Sequence, residues 1–538
     1  MKKTYFRLVI AVMASMLIFS CGGDDTDGME QNLPVPNDVP PPVKITKLNF
    51  QMDRNPSLDR VFSFSPDENG RIEGRIYTYG LVNGKSCVQP VDIRHLIPTI
   101  ESDAEMLYYN GKQLINGTTR IDFSRPVTIK AVAKNGQSRE YVVDLSHFTG
   151  LPIIYLNTDS GKEVVSKDVY EGATIEILGC GDMPDTELQK ITMHGRGNAA
   201  WSTFKKKLSY TLKFETRQNI LGMPKHKKWV MVANYRDKTL LRNNVAWWIS
   251  SHLSGIKYVP KFVDAEVVFN GVHRGVYQFT EQVRIDKNRI NINEMQITDT
   301  EGDDITGGYI IELDRGSNSD QWEWVMPNMH GSAHKLSIKI PKKDEMNQQQ
   351  HDYIKAYVHN IDKMFGDPNQ LEAVMTKYID MPSWAAQWLV FEISGTPEPN
   401  GPSSWYTYKD KADDKWYCSP PWDFDYKSFM PPTANKWISK DAIYMPEMLK
   451  YPPFKQELLK QWGEIRDKLP ELINYINEQR EYLRIAAQAN WHIHEQNLID
   501  DNRRENSDEF IPSDEAIDRM IQYLRLKWEF IDNNIANL

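Results

Sequence analysis

Lys207-Leu208-Ser209-Tyr210-Thr211-Leu212-Lys213-Phe214 alternates residue by residue. Leu208, Tyr210, Leu212 and Phe214 fall on one face of an extended chain and Lys207, Ser209, Thr211 and Lys213 on the other, the period of a half-buried β-strand. That strand bears two lysines on its polar side. It stands in a region that mixes strands with helices, opened by the buried-strand pattern Leu151-Pro152-Ile153-Ile154-Tyr155-Leu156 and running to about Asp425. Residues 239–253 predict a helix, because Leu240, Leu241, Val245, Trp248, Ile249 and Leu253 recur at near-helical spacing, and Gly255 is its expected stop. Beyond Phe429 helices are expected over 453–469, 470–489 and 513–538, the last with an apolar stripe that includes Ile517, Leu524, Trp528 and Ile531. The charged stretch 500–507 is expected to be a solvated loop, and the helical part continues the same domain because no linker separates it.

Upstream, from Val43 to about His147, short alternating segments are punctuated by Asn-Gly turns at 83–84, 110–111, 116–117 and 135–136. Val127-Thr128-Ile129-Lys130-Ala131-Val132-Ala133 runs out, Asn135-Gly136 offers the positive φ angles of a tight hairpin, and Tyr141-Val142-Val143-Asp144-Leu145 returns. Strands so spaced predict a small antiparallel β-sandwich over 43–148. Asp122-Phe123-Ser124-Arg125-Pro126 followed by the hairpin resembles the immunoglobulin-like modules found behind lipoprotein tethers, which implies a spacer or binding module.

The first twenty residues have the parts of an export signal: Lys2 and Lys3, an apolar run from Leu8 to Phe19, and Ser20 just before Cys21. The run is short for a membrane span. Leu17-Ile18-Phe19-Ser20-Cys21 resembles a lipobox, which implies acylation of Cys21 and anchorage to a bacterial membrane, at the outer membrane or cell surface. Residues 21–42 are polar and Pro-rich and read as a tether. Cys87, Cys180 and Cys418 are too few for a disulfide framework or a paired zinc site, so at most one bridge is expected. With 538 residues, 40% of them apolar, the chain can bury one large core or two without staples. A net charge of −9 with both signs interspersed argues against a nucleic-acid partner, since no cationic face offsets phosphate repulsion.

No dinucleotide loop, phosphate-binding loop, His-Glu-x-x-His helix or strand-elbow serine is present. Gly195-Arg196-Gly197-Asn198 is the nearest anion loop: its glycines let backbone amides face a phosphate while Arg196 neutralises charge, although most such turns are structural. Trp422-Asp423-Phe424-Asp425 offers two carboxylates on an extended segment, a donor pair suited to a hard divalent cation, or equally a solvent-facing acidic turn. Glu281 follows the strand-like run 276–279, and Glu312 and Asp314 alternate with Tyr309, Ile311 and Leu313, as an exposed strand face also would. His492 and His494 on one helix point about 200° apart and cannot share a metal.

Taken in order, these segments resemble the spore coat protein H (CotH) kinase-like family. The matching runs are Gly195 to Asn198 before Trp201, Lys207 to Phe214, Leu221-Gly222-Met223-Pro224, Lys228-Trp229-Val230 with Ala233-Asn234-Tyr235, Leu240-Leu241-Arg242-Asn243, Gly275-Val276-Tyr277 with Glu281-Gln282-Val283, Gly308-Tyr309 to Asp314, and Trp422 to Asp425. The resemblance covers about Leu151 to the C-terminus. It implies an α+β, two-lobed, atypical protein-kinase-like domain over 150–538, mainly helical over 430–538, that binds ATP with Mg or Mn and phosphorylates Ser or Thr of exported proteins.

In that reading Arg196 and Asn198 approach the phosphates, Lys213 or Lys207 contacts them, Glu281 orients that lysine, and Asp423 and Asp425 hold the metal. Arg242 and Asn243 are further pocket candidates or, alternatively, structural residues. Glu398 stands where the family usually has the catalytic aspartate and Ser404 where it has an asparagine. A longer carboxylate still accepts a hydroxyl proton, but a misplacement of about 1 Å costs on the order of a hundredfold in rate. The competing expectation is therefore a pseudokinase used for adhesion, glycan contact or assembly. A phosphate-ester hydrolase is disfavoured, because no second carboxylate or histidine cluster resembles a two-metal site.

Overall fold

In the computed structural model the described residues are 42–82, 85–89, 91, 93–123, 125–147, 149–197, 201, 207–314, 321–330, 335–401, 403–500 and 511–538. The export signal, Cys21, the tether up to residue 41, Asn198 and most of the predicted charged loop lie outside them.

The predicted hairpin forms: Val127–Val132 pairs with Ser138–His147, and Gly136 takes φ 83° at the turn. It belongs to a five-stranded sheet in the order Arg71–Ile76, Ser138–His147, Val127–Val132, Met106–Tyr109 and Lys112–Leu114. A three-stranded sheet has Ile45–Phe50 between Phe62–Phe64 and Thr99–Ser102. Leu48, Phe50, Ile72, Phe123, Ile129 and Val143 fill one core of this region. The expected purely antiparallel arrangement is corrected at one pair, since Ser138–His147 runs parallel to Arg71–Ile76. Parallel pairing needs a crossover connection rather than a turn, which Asn-Gly spacing does not reveal.

The lysine-bearing strand lies in a closed seven-stranded barrel. Its strands are β1 (Ile153–Thr158), β2 (Glu171–Leu178), β3 (Thr186–Arg196), β4 (Ser209–Gln218), β5 (His226–Val232), β6 (Phe262–Phe269) and β7 (Val272–Glu281), in the order β1-β2-β3-β4-β5-β7-β6. A parallel pair, Ile153 opposite Glu266, closes β6 onto β1 and removes the free edges. Met193, Leu212, Trp229, Met231 and Phe279 pack in one cluster, as alternation in β4 requires.

A second sheet has β8 (Tyr309–Leu313) at its centre, in the order β9 (Glu323–Val325), β10 (Lys335–Ile340), β8, β11 (Trp405–Lys409), β12 (Trp416–Cys418), all antiparallel. Tyr309, Ile311, Leu313, Ile338 and Trp405 join the largest core. Helices α1 (Arg242–Ser251), α2 (Gln348–Phe365), α3 (Met381–Ser394), α4 (Pro452–Ile465), α5 (Leu469–Asp500) and α6 (Ser513–Asn534) supply much of the rest. The result is a mixed α+β protein with a helical C-terminal part. α3 is buried nearly all round, with Trp384, Trp388, Leu389 and Ile393 at 0% exposure, so it has no amphipathic period to betray it. α5 continues eleven residues past its expected end at Ala489 and carries Asn490, His492 and His494. No described helix is long and apolar enough to cross a membrane.

Gly255 does not cap α1, which ends at Ser251. Its lack of a side chain matters for packing: a Cβ there would stand 2.1 Å from the Pro382 carbonyl oxygen at the start of α3. Gly255→Ala is therefore expected to lower stability by about 1–3 kcal/mol through overpacking against backbone. The readout is a lower denaturant midpoint at constant m-value; an unchanged midpoint would contradict the close approach.

Candidate functional site

Pleat parity sets which barrel side chains reach outward. Leu212 is opposite Trp229, and Trp229 opposite Glu281, so these three share a face with the barrel interior. One residue out of step, the other face of β3 and β4 presents His194, Arg196, Ser209 and Thr211. On β8, Glu312 stands between core-facing Ile311 and Leu313 and so points the other way, as does Lys339 beside core-facing Ile338 on β10. These two outward faces line one cleft of about 1580 Å³.

Lys167, Arg196, Arg284 and Lys342 line the cleft with Tyr170 and His194, while Glu312, Asp314, Glu398, Asp423 and Asp425 line it with Tyr406. The cations crowd one another. Beside the cleft, though not lining it, Lys213 and Lys228 stand directly opposite on β4 and β5, an unfavourable like-charge pair. Burial, then Arg284, Lys213 and Lys342, push Lys228 down to about 8. His194 is lowered mainly by burial, with Lys342 and Arg196 adding to it.

Residues at the start of α1 pin the acidic segment. Asn243 Oδ1 accepts from the Phe424 amide (2.9 Å), Arg242 donates to the Asp425 carbonyl (3.2 Å), and the Trp247 indole donates to the Pro421 carbonyl (3.0 Å). Asp423 takes φ 71°, which turns its exposed carboxylate into the cleft beside half-buried Asp425. The Asp425 carboxyl is held well above the usual carboxylate range by burial, by the charges of Asp423 and Asp237, and by its hydrogen bond with Asp423; Arg242 opposes the shift. Ser404, at φ 54°, donates to Asp423 Oδ2 (2.8 Å), and Ser403 donates to Asp314 Oδ1 (3.2 Å). Glu398 opens a short 3₁₀ turn, Glu398–Asn400, on the cleft wall.

Of the residues expected from sequence, the cleft thus gathers Arg196, Glu398, Asp423 and Asp425. Four expectations need correction. The Lys213–Glu281 pair does not form, because the two lie on opposite faces of the barrel wall: Glu281 is buried against Arg289 (3.6 Å) and accepts from the Tyr258 hydroxyl (3.0 Å), whereas Lys213 is exposed with Nζ 5.8 Å from the Tyr170 ring centre. Lys207 touches the cleft lining but is spent in structure, donating to the Val276 carbonyl and to Asn490 Oδ1 (2.9 Å), and burial lowers it to about 7. Arg242 is buried beside Asp237 (3.6 Å) and acts on backbone, not on the cleft contents. The Gly195 amide is not free for an anion either, since it donates to the Ser166 carbonyl (2.8 Å), and the glycine is needed because Trp201 lies where a Cβ would be. Asn198 and Cys21 lie outside the described residues.

The sequence offers Glu312 with Asp314 either as a candidate pair or as an exposed strand face, and nothing in it singles out Lys339, Arg284 or Lys342. The alternation at 309–314 already separated Glu312 and Asp314 from the core. What it lacked was the surface opposite, which makes that face a cleft wall. Among the described residues no group of three or more His, Cys, Asp or Glu is arranged to hold a metal ion. Cys180 and Cys418 are free thiols.

The fold and site define a mixed α+β protein with a large cleft, lined by side chains of both charges, between a closed barrel and an antiparallel sheet. The model of the family described as CotH kinase protein matches residues 191–528, which takes in the barrel from the middle of β3 onward, the second sheet, and the helices as far as residue 528 within α6. The chain belongs to the CotH kinase family. No curated protein matches it.

Asp425 yields a pH test. Its native pKa exceeds the unfolded value of about 3.9, so as pH rises the unfolded chain loses this proton first. Stability from this site is then full below about pH 4 and falls as pH rises through the native pKa. Asp425→Asn is expected to raise the melting temperature at pH 7 but not near pH 3.5. An equal gain at both values would contradict the raised pKa of Asp425.

Proposed function

We propose that this cleft binds ATP together with Mg or Mn and passes phosphate to Ser or Thr hydroxyls of exported proteins, as an atypical kinase whose barrel-bearing and helical parts act as two lobes. The observation that carries the reading is the meeting, in one cleft, of Lys167, Arg196, Arg284 and Lys342 with the Asp423–Asp425 pair. A polyphosphate relieves the cationic repulsion. Two neighbouring carboxyl groups on the cleft wall make a hard oxygen donor pair suited to a divalent cation, so Asp423 and Asp425 fit the metal. When bound, the cation would neutralise charge on the phosphate oxygens.

The chain's own groups account for the rest. Arg196, Arg284 and Lys342 would balance phosphate charge, and Asn243 with Arg242 would keep the acidic segment in place. Glu398 would accept the proton of the attacking hydroxyl as its oxygen bonds to the γ-phosphorus and the bond to the β-phosphate oxygen breaks, releasing ADP. Positioning and charge balance are most of what such a transfer requires.

A second reading, a non-catalytic surface protein for adhesion, glycan contact or assembly, is favoured by one contact: the Ser404 hydroxyl occupies Asp423 Oδ2, an atom the metal would need. In both readings the protein is held in the cell envelope by lipid on Cys21, with the immunoglobulin-like β region as spacer or binding module.

Calorimetry with MgATP and MnATP on the chain without residues 1–21 tests the first reading, and no heat at millimolar nucleotide would sink it. Asp423→Ala should abolish metal-dependent binding and reduce phosphate transfer about a hundredfold or more. Glu398→Gln should retain binding while losing transfer. Transfer that survives Asp423→Ala contradicts the assignment.

A further inference from the structure

We infer that the outward face of β3, β4 and β5 carries the cleft on past its mouth as a docking strip for the acceptor polypeptide, and that the acceptors it takes hold Asp or Glu close to the Ser or Thr. The inference rests on the phosphate-transfer reading above and names the substrate class of that same site.

Strand register lays the strip out. Arg196 is opposite Ser209 and His194 opposite Thr211, and all four line the cleft. Two residues beyond Thr211 on β4, about 7 Å at the rise of a strand, the same face presents Lys213, and β5 sets Lys228 directly beside it. Arg284, Lys213 and Lys342 all act on Lys228, with Glu345 opposing them. Among the described residues no carboxylate forms an ion pair with Lys213 or Lys228. Like charges placed opposite one another cost stability, so this pair is better explained by an anionic partner than by the fold.

The strip is not charge alone. Val165 (86% exposed) and Val169 (67% exposed) flank Lys167 in the segment between β1 and β2. Tyr170 packs edge-on against His194 with ring centres 4.3 Å apart, which ties that segment to the strip. Exposed apolar side chains beside a charged row suit a polypeptide, which can cover both.

The cations outnumber what the nucleotide needs. Arg196, Arg284 and Lys342 face a triphosphate whose charge the metal partly cancels, which leaves Lys213 and Lys228 over. The opposite wall has no matching surplus of negative charge: Glu312 is paired with Lys339, Asp314 accepts from Ser403, and Asp423 and Asp425 fit the metal. A bilayer of anionic lipid would answer the same charge, but the strip runs into a cleft that a flat surface cannot enter, and Glu398, which would receive the hydroxyl proton, lines that cleft.

The test titrates fluorescent Ser peptides, one Glu-rich and one Lys-rich, and separately MgATP, into the chain without residues 1–21. The Glu-rich peptide should bind the tighter of the two, and more weakly as salt is added. Lys213→Glu combined with Lys228→Glu should weaken it about tenfold or more and leave MgATP affinity unchanged. If that double variant melts early, Lys213→Gln decides, since it relieves a like-charge pair and should still weaken the Glu-rich peptide. In a transfer assay the double variant should raise KM for the Glu-rich acceptor while kcat holds. Equal or tighter binding of the Lys-rich peptide, a Glu-rich affinity untouched by both variants, or a loss of MgATP affinity matching that of the peptide would overturn the strip. So would binding to phosphatidylglycerol vesicles, lost in the double variant, by a chain that ignores the Glu-rich peptide. A chain that takes MgATP but not the Glu-rich peptide loses the strip alone. One that takes the peptide but not MgATP keeps the strip as a site for acidic polypeptide and loses the transfer reading beneath it.

Discussion

Leu212, Trp229 and Glu281 meet across three neighbouring strands, and their register decides the polarity of everything on the barrel wall. A slip of one residue would turn Leu212 and Trp229 outward and carry Lys213 and Thr211 inside. Aromatic bulk resists that slip: Trp229 stacks on Phe279 with ring centres 5.4 Å apart, and the Arg289 guanidinium lies 5.2 Å from the Trp229 ring. Closure of the barrel then leaves no edge strand that could re-pair. Because the register is set by packing, the outward row of His194, Arg196, Ser209 and Thr211 is presented as a consequence.

The opposite wall is held by different means. Its carboxylates sit on a strand centre, on a short turn and on an irregular segment, and polar ties bring them to one place. Asp237 accepts from the Arg242 amide (2.9 Å) and lies beside its guanidinium, which fixes the first turn of α1. That turn in turn holds the backbone at 424 and 425. Arg242 and Asn243 are thus part of the site's support, a step removed from the chemistry. Such support matters because the acidic residues repel one another and would separate if the backbone were free.

Several ties reach across long sequence distances. Lys207 and the Val276 amide both bond Asn490 Oδ1, and His494 Nε2 lies 3.0 Å from the Arg274 carbonyl, joining α5 to β7. Gly275 permits the approach, since a Cβ there would stand 2.4 Å from Asn490 Oδ1. Burial lowers His494 to about 3, so it stays neutral while it fills this seam. These contacts explain why a lysine on the quoted strand pattern serves the fold.

Local period determined much of this protein without help. Alternation in 208–214 and 309–314 marked strands and their apolar faces, Asn135-Gly136 marked a hairpin, and the stripe at 517–531 marked a helix, because each signal is carried by side chains within a few residues of one another. Asp423 and Asp425 were legible as a carboxylate pair for the same reason. Barrel closure, the parallel pair at Arg71–Ile76 and the fully buried α3 were not, since none leaves a local period. Which lysine meets which glutamate was decided only by tertiary structure: strand parity separates Lys213 from Glu281, and the neighbouring strand brings Lys339 to Glu312. Charge pairing depends on distance in space, and residues far apart in sequence acquire that distance only when the strands take their register.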